Sequence, residues 1–470
     1  MRRLVRLLTS CGLGLIGLSM ALAVLFLASE PVAHAYTPYK TDLPAQHAVM
    51  TGHVVVQLAP TQTIVRHFAF HDPISGLDAL LLSGLQVITQ ATGFGTAICS
   101  IEQVGCPADD CFCGGSIFWN YSYWDGSAWQ GYMVGADGSV ISQAGAVEGW
   151  AWGPWPSQPP SAPPLVAADL ALQWLRPLQQ ADGGYGGVGP SAETLIAGVT
   201  NGYDAANWRP QASAPSLAEY VAANAGSFVS QAYSPPAAAG KLAVAWAAAH
   251  KTDWLCATPY CLDYYDAASG AFYPYTGGAS GQAGPQSWAV LGLVATGQAV
   301  PATATQHLKG LQQANGGWGW AGSTPDTMAT ALAIQALVAS GEPTTSGVIT
   351  RALDFLKSSQ NPDGGFYYAA VWGTESEVDS TAYAIQAILA AGQQPTSALW
   401  SVGATDPISF LLSMQLSDGS FEWKRGNGPN ALSTRTAIPA LLNRPLPITI
   451  WPINVNPDCP LIYVPLVQRE

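Results

Sequence analysis

Two carboxylates stand two residues apart in the segment 377–382, whose sequence is EVDSTA. A carboxylic acid in a dry pocket, with neighbours that control its pKa, can donate a proton to a substrate. Asp379, with Glu377 beside it, is the pair best suited to that chemistry. The alternative is structural, because Asp379 and Ser380 could cap a helix predicted to begin near Thr381. Both interpretations stay open.

Aromatic side chains form two groups that could line a ligand site. One group lies on both sides of the acid segment, and the other lies in a Trp- and Tyr-rich region far upstream. Core packing explains part of both groups, and a ligand-facing patch explains the rest. The candidate ligand-binding residues are Tyr367, Tyr368, Trp372, Tyr383, Trp124 and Trp150.

Cysteines cluster at two places in the chain. Four of them fall within fifteen residues, with six, four and one residues between them, which is not the paired spacing of a zinc site. We therefore predict two disulfides in this cluster, with the pairing left open, and a second local pair further on. The six cysteines are Cys99, Cys106, Cys111, Cys113, Cys256 and Cys261. No metal site is predicted.

The composition excludes one class of function. The chain has 30 acidic and 17 basic residues, a formal charge of −13, among 470 residues that are 49% apolar. Clustered Lys and Arg are needed to neutralise phosphates, so we expect no nucleic-acid partner. No Gly-rich phosphate loop or Gly-x-Ser-x-Gly elbow occurs in the sequence either.

The N-terminus has the pattern of a signal peptide. Arginines precede an apolar run at 7–28, and Ala33-His34-Ala35 supplies small residues at a cleavage site. We predict cleavage after Ala35 and a secreted or cell-surface protein, with an uncleaved anchor as the alternative. The remaining domain predictions are 36–153 for an α+β domain, 154–164 for a Pro-rich linker, 165–445 for helical repeats and 446–470 for a C-terminal tail.

Short strands and one helix are predicted upstream of the linker. The strand-like runs are Val54 to Val56, Thr63 to Phe70, Phe118 to Trp124 and Gly131 to Val134. The helix follows Ser75, a natural N-cap, and ends at Gly84. This order suggests a small, disulfide-stapled α+β domain of grasp type.

Beyond the linker, a motif with a glutamine, glycines and an aromatic residue recurs, followed by an Ala-rich helix. Such units are helical hairpins that cannot bury their faces alone, and a closed ring of them needs no caps. We therefore predict a mainly α protein with a toroid of hairpins. Asp379 is not a regular part of the repeat, since Met328 and Thr434 are predicted to fall opposite it. The motif copies begin at Leu178, Leu311, Ser359 and Met414, with a degraded copy at Ser269.

These repeats resemble those of the prenyltransferase and squalene-hopene cyclase superfamily, whose members form α/α toroids. In class II terpenoid cyclases of that superfamily, the middle acid of an Asp-x-Asp-Asp motif protonates an alkene. The resemblance implies that role for Asp379, with Glu377 at the first position, but Ser380 replaces the last Asp. The Asp-x-Cys context that holds zinc in protein prenyltransferases is missing at Cys256 and Cys261, the cysteines of the predicted toroid.

The upstream region is similar to the β domain of transcobalamins, in the segments 75–80, 95–99 and 123–124 and in Val147 to Trp150. In transcobalamins a toroid and this β domain hold one cobalamin between them. Here the β domain precedes the toroid, so the order is reversed.

The sequence leads to three functional hypotheses. The first is a secreted, non-catalytic protein that holds a large hydrophobic or corrin-like molecule, such as cobalamin or a polyprenoid, between the toroid mouth and the β domain. It would require no cofactor, and association with the cell surface is a further expectation. The second is a terpenoid-cyclase-like enzyme with Asp379 as the general acid. The third is a surface scaffold with a solid toroid.

Overall fold

The computed structural model describes residues 49–448 except 94, 250–263, 273–281, 321 and 323. The predicted signal peptide at 1–35, Cys256, Cys261 and the residues after 448 lie outside the described residues. Within them, no helix combines the length and apolar character needed to cross a bilayer.

The region from Met50 to Pro154 contains a five-stranded sheet in the order β2-β1-β8-β6-β7 and a three-stranded sheet in the order β3-β4-β5. Neighbouring strands of the larger sheet are antiparallel except β1 and β8, which run parallel. The strands are β1 (Met50–Ala59), β2 (Gln62–Phe70), β3 (Val87–Thr92), β4 (Gly95–Ile101), β5 (Val104–Gly105), β6 (Ile117–Trp124), β7 (Trp129–Gly131) and β8 (Val147–Pro154).

Both faces of β1 and β2 are buried, because alternate side chains enter two different cores. Val54 and Ile64 belong to the core of the sheet region, whereas Val55 and Val65 belong to the core of the helices. The sheet region and the helices accordingly form part of one compact unit.

Two disulfides staple the three-stranded sheet to the loop that follows it. They join Cys99 to Cys111 and Cys106 to Cys113. The predicted pair of disulfides is confirmed, and the structure supplies the connectivity that the spacing left open. Helix α1 (Gly76–Leu82) begins with a capping box between Ser75 and Asp78.

Eleven further described helices follow the sheet region, and six of them form a closed inner ring in the order α3, α5, α6, α8, α10, α12 and back to α3. This ring of hairpins confirms the predicted helical toroid in outline. The helices are α2 (Ala162–Leu175), α3 (Val188–Thr200), α4 (Leu217–Gln231), α5 (Pro235–Ala248), α6 (Ala283–Ala295), α7 (Ala302–Gly310), α8 (Thr327–Ala339), α9 (Gly347–Ser358), α10 (Val378–Ala390), α11 (Pro407–Ser413) and α12 (Ala431–Leu441).

The repeated glutamine explains how neighbouring hairpins are joined. In each copy its side-chain amide donates to the carbonyl of a motif glycine and to a carbonyl of the next hairpin, as Gln360 does to Gly364 and Trp400. Gln415, in the last copy, reaches Ala167 of α2 at 2.8 Å and so closes the ring. Gly364 has φ +86°, and a Cβ there would lie 2.5 Å from the Asp406 carbonyl oxygen, which accounts for the glycine.

The inner helices run parallel to one another. The N-terminal end of one inner helix contacts the turn that precedes the next inner helix. At each of three junctions, a backbone N–H at or near a helix start donates to the carbonyl of an aromatic residue two positions after the motif aromatic. The pairs are Gly284 with Trp320, Thr327 with Tyr368, and Val378 with Trp423.

The sequence predicts a linker at 154–164 and a tail at 446–470, but parts of both regions pack against the rest of the structure. In the linker range 154–164, the Pro160 carbonyl accepts from Trp129 Nε1, and α2 already begins at Ala162. At the other end, Leu446 N donates to Gln335 Oε1 and Gln386 Nε2 donates to the Arg444 carbonyl, both at 2.8 Å. Residues 443–448 therefore lie against the inner ring.

Candidate functional site

Asp379 lies in the first turn of α10 and is 6% exposed. The helix begins earlier than predicted, with Glu377 at the N-cap, so neither Asp379 nor Ser380 caps it. Asp379 Oδ2 accepts from Ser433 Oγ at 3.2 Å, whereas Oδ1 has no hydrogen-bond partner. Burial, reinforced by the negative charge of Glu377, raises the pKa of Asp379 to about 7. Asp379 therefore keeps its proton in mildly acidic solution.

The repeats align in space through a shared hydrogen bond, which corrects one of the predicted equivalences. The motif aromatic donates its backbone N–H to a threonine hydroxyl of the inner helix at 2.9 Å in three copies. Leu432, rather than Thr434, consequently stands at the position of Asp379, and Met328 stands there as predicted. The pairs are Trp318 with Thr330, Phe366 with Thr381, and Phe421 with Thr434.

The lumen of the ring lies between the level of Asp379 and the segment at 443–448. Its wall includes Glu193, which accepts from Lys241 Nζ at 2.6 Å and Arg435 Nε at 3.3 Å. Burial would raise the pKa of Glu193, but the two cations outweigh it and hold that pKa below its usual range. The cavity, also lined by Tyr383 and Leu446, has a volume of about 40 Å³. It has room for about one water molecule.

Three of the candidate aromatic residues lie near the N-terminal end of the inner helices. Tyr368 and Trp372 stack with ring centroids 5.4 Å apart, and Trp372 is 66% exposed. Tyr368 also hydrogen-bonds to Asp326, whose pKa burial raises to about 6. Tyr367 is half-buried and donates from its hydroxyl to the Ser358 carbonyl at 3.4 Å.

Of the other three candidates, Tyr383 lines the lumen of the ring, whereas Trp150 and Trp124 lie in the sheet region and differ from each other. Trp150 is 2% exposed in the core and stacks on Tyr121, so its side chain is not presented to a ligand. Trp124 is half-buried and lines two cavities, of about 550 Å³ and 270 Å³, and Val147 also lines both. Among the described residues, no ring contact joins Trp124 to the Tyr367 and Tyr368 group.

Glu148 forms part of the wall of the larger cavity and was not recognised as a site residue from the sequence. It is 2% exposed and accepts from Tyr121 OH at 2.6 Å and from Tyr132 OH at 3.1 Å. Burial raises the pKa of Glu148 to about 7. A carboxylate within a strand otherwise made of Val, Gly, Trp, Ala and Pro was the available sequence signal.

The sheet is attached to the ring near the C-terminal end of α3. Arg66 donates to the carbonyls of Asn201 and Gly202 at 2.6 and 2.9 Å, and Val65 N donates to Asn201 Oδ1 at 2.7 Å. Since Asp379 lies at the N-terminal end of an inner helix, these contacts are at the opposite end of the ring from the acid.

A buried carboxylate completes this attachment. Asp169 of α2 is fully buried and lies 3.3 Å from His67 Nδ1 and 3.7 Å from His53 Nε2. Asp169 also accepts from Tyr203 OH at 3.2 Å and Gln173 Nε2 at 2.8 Å. Within the part of the chain that the structure describes, no group of three or more Asp, Glu, His or Cys side chains could hold a metal ion.

Residues 299–431 match the family model of the squalene-hopene cyclase C-terminal domain. The matched segment includes Asp379. For the repeats within this segment, the predicted relation to the prenyltransferase and squalene-hopene cyclase superfamily is thereby confirmed. The similarity of the upstream region to the transcobalamin β domain stays a prediction. No curated protein sequence matches the chain.

Solved structures with a similar helix arrangement come from several organisms. The type II terpene cyclase MstE from Scytonema is 14% identical over 60% of this chain and 97% of its own, with a TM-score of 0.42. A Candida albicans protein geranylgeranyltransferase-I complexed with GGPP is 14% identical over 60% and 86%, with a TM-score of 0.35. The ent-copalyl diphosphate synthase from Streptomyces platensis is 17% identical over 62% and 52%, with a TM-score of 0.33. We draw no functional conclusion from similarities of this size.

Proposed function

We propose that this chain is a non-catalytic binding protein that holds a largely apolar small molecule around Trp124, between the sheet and the outer helices. One observation carries the proposal: the cavities of about 550 Å³ and 270 Å³ share Trp124 and Val147. The larger cavity is formed by the sheet region, and the smaller one is completed by α2 and by Leu412 of α11. A ligand around Trp124 would therefore contact both parts of the molecule.

Cavity volume favours this location over the lumen. Small-molecule sites usually measure about 300 to 1,000 Å³, and the larger cavity falls in that range. The lumen, at about 40 Å³, does not. Cobalamin and polyprenoids, the ligands suggested by the sequence, are the first molecules to test, and each would enter this groove with only part of its surface.

Native mass spectrometry of the mature chain, starting at Tyr36, tests the proposal after incubation with cobalamin or a polyprenol. We expect a one-to-one adduct that Trp124→Ala removes and Trp372→Ala retains. Trp372 is the matched control because it is an exposed tryptophan that lines neither of the two cavities. An adduct that survives Trp124→Ala, or no adduct with any apolar ligand, would overturn the proposal, and the second result would favour the scaffold hypothesis.

Export is part of the same proposal. The signal-peptide pattern supports cleavage after Ala35 and a secreted or cell-surface location. N-terminal sequencing of protein recovered outside the producing cell should begin at Tyr36. A chain that keeps its first residues and stays with the membrane would support the anchor alternative.

A second candidate function, acid catalysis on an alkene, is favoured by one specific observation. Asp379 Oδ1 is buried without a hydrogen-bond partner, in an acid whose pKa is about 7. Such a group can present a proton to a substrate. The small lumen would have to open, and residues 443–448, which lie against it, are the segment that would move.

Product analysis after incubation with a linear polyprenoid tests this second function. Turnover that is abolished in Asp379→Asn and kept in Asp354→Asn would support it. Asp354 is an exposed aspartate on α9, so its replacement controls for the loss of one acid. Equal turnover in both variants would exclude Asp379 as the acid.

A further inference from the structure

We propose that the groove beside Trp124 recognises a ligand that carries a protonated amine, with the ammonium group held between the Glu148 carboxylate and the rings of Tyr123 and Tyr132. This inference rests on the proposed function, since it names the chemical class of the ligand for that same groove. The inference concerns which ligands the groove prefers, so it can be wrong even if an apolar ligand binds at Trp124.

The first argument is the missing counter-charge of Glu148. Its two oxygens accept from the hydroxyls of Tyr121 and Tyr132, which are neutral groups. None of the ion pairs in the described part of the chain includes Glu148. A buried carboxylate without a cation is costly in its charged form. Each oxygen accepts one hydrogen bond from protein and has capacity for a second, so an ammonium donor could bind there.

The second argument is the lining of the groove. It contains no Lys, Arg or His, and Glu148 is its one charged residue. Tyr123 and Tyr132 lie with ring centroids 4.9 Å apart at the groove, and Trp124 is next to them. Aromatic faces attract organic cations through their quadrupole, most strongly where water is excluded. The wall thus combines a carboxylate with aromatic faces, which suits an ammonium ion better than an anion or a sugar phosphate.

The third argument is that the rings are fixed before any ligand arrives. Tyr121 is stacked between Tyr132 and Trp150, with centroid distances of 4.3 and 4.4 Å. Its hydroxyl also contacts Ser139 Oγ at 2.9 Å. A preorganised site loses little side-chain entropy on binding.

Protonation of Glu148 should compete with the ligand. The titratable groups that face Glu148 are Tyr121 and Tyr132, and burial raises the pKa of both above the usual tyrosine range. Glu148 is therefore the group in this cluster that changes charge near neutral pH. A cation that binds the carboxylate stabilises its charged form, so affinity for a permanent cation should rise as pH increases through 7.

Isothermal titration calorimetry of the full mature chain with two probe molecules tests the inference. Benzylammonium is a primary amine that keeps its charge and its N–H donors from pH 5.5 to pH 8, and benzyl alcohol is a neutral aromatic of related shape. At pH 8 we expect the cation to bind at least tenfold more tightly than the alcohol. Its affinity should fall at least fivefold at pH 5.5, while that of the alcohol stays constant. Because this pH comparison uses only the wild-type protein, its outcome does not depend on whether a variant folds.

Glu148→Gln and Trp124→Ala separate the two levels of the proposal. Glu148→Gln should remove the preference for the cation and its pH dependence but leave binding of benzyl alcohol. Trp124→Ala should weaken both probes. Equal affinity of the wild type for both probes would overturn the ammonium inference and leave the proposed function intact. Failure of both probes to bind would count against both.

Discussion

Two buried carboxylic acids, Glu148 in the sheet region and Asp379 in the ring, have the same pKa of about 7 for the same main reason, burial. Their surroundings differ. Glu148 has both oxygens hydrogen-bonded and lines a cavity of about 550 Å³. Asp379 has one oxygen without a partner, and the nearby lumen measures about 40 Å³.

The difference shows that a perturbed acid indicates a site only together with space for a ligand. In the ring, the acid is present and the space is filled by Leu446 and by the Glu193 ion pairs. In the sheet region, both acid and space are present. Perturbed pKa values also arise in purely structural settings, so the cavity decides between the two regions.

The largest expected effect is on the ring acid. Because the folded state raises the pKa of Asp379 from 3.8 to about 7, it binds the proton more tightly than the unfolded chain. Stability from this source is complete below pH 4 and is lost as pH rises to 7, by about 4 kcal/mol. Asp379→Asn should therefore gain stability over the wild type between pH 4 and pH 8 by about that amount, measured by urea unfolding. A difference that is independent of pH would show that Asp379 is ionised in the fold.

The stability contributed by protonated Glu148, in the sheet region, should also be lost as pH rises, but by a smaller amount. The pKa of Glu148 rises from 4.5 to about 7, which corresponds to about 3 kcal/mol lost between pH 4.5 and 8. Glu148→Gln should recover that loss at pH 8 and cost about 1 kcal/mol at low pH, where a tyrosine hydrogen bond is weakened. A saturating cationic ligand should reduce the pH-dependent difference for Glu148→Gln alone. A ligand effect of equal size on the Asp379→Asn difference would erase the contrast between the regions.

The position of Tyr121 can be changed from a neighbouring glycine. A Cβ at Gly76 would lie 1.8 Å from the Tyr121 hydroxyl oxygen and 2.8 Å from Ser139 Oγ. Gly76→Ala should cost about 2 kcal/mol in urea unfolding and raise the pKa of Glu148, because the displaced Tyr121 no longer donates the hydrogen bond that lowers it. Gly226→Ala on α4 is the matched control, because a Cβ added there would have no atom from outside its helix within 4 Å. This substitution should be neutral or slightly stabilising. Equal costs for the two variants would contradict the contact.

The ring could be predicted from the sequence because its repeats carry the contacts that build it. The motif glutamines bridge hairpins, and the motif glycines occupy positions of positive φ, as Gly364 does. Five motif copies were visible, whereas the ring has six inner helices. Helix α5 was missed as a repeat because no Gly-aromatic turn precedes it.

The functional residues were harder to predict, since they depend on contacts between distant segments. Asp379 was identified by its neighbours in sequence, but its lack of a cap role follows from where α10 begins. Glu148 gains its properties from Tyr121 and Tyr132, 27 and 16 residues away in the chain. The contact of Leu446 with Gln335 spans 111 residues, and no local pattern announces it.

The smallest effect concerns the attachment between the two regions. Asp169 raises the pKa of His67 through a hydrogen bond, whereas burial lowers the pKa of His53, which stands directly opposite on the neighbouring strand. The His67 contribution is present below its unfolded pKa of 6.5 and is lost as pH rises through the higher folded value. The stability contributed by neutral His53 depends on pH in the opposite way and is lost as pH falls.

Because the His67 side chain is 46% exposed, its contribution should stay below about 1 kcal/mol. His67→Gln should lower the melting temperature more at pH 6 than at pH 8.5, and His53→Gln should reverse that order. If the two variants shift in the same direction with pH, Asp169 does not distinguish the two histidines, and their contributions add to make the attachment of sheet to ring sensitive to acid. Opposite shifts would mean that the two histidines offset each other, so that the stability of the attachment between sheet and ring changes little with pH.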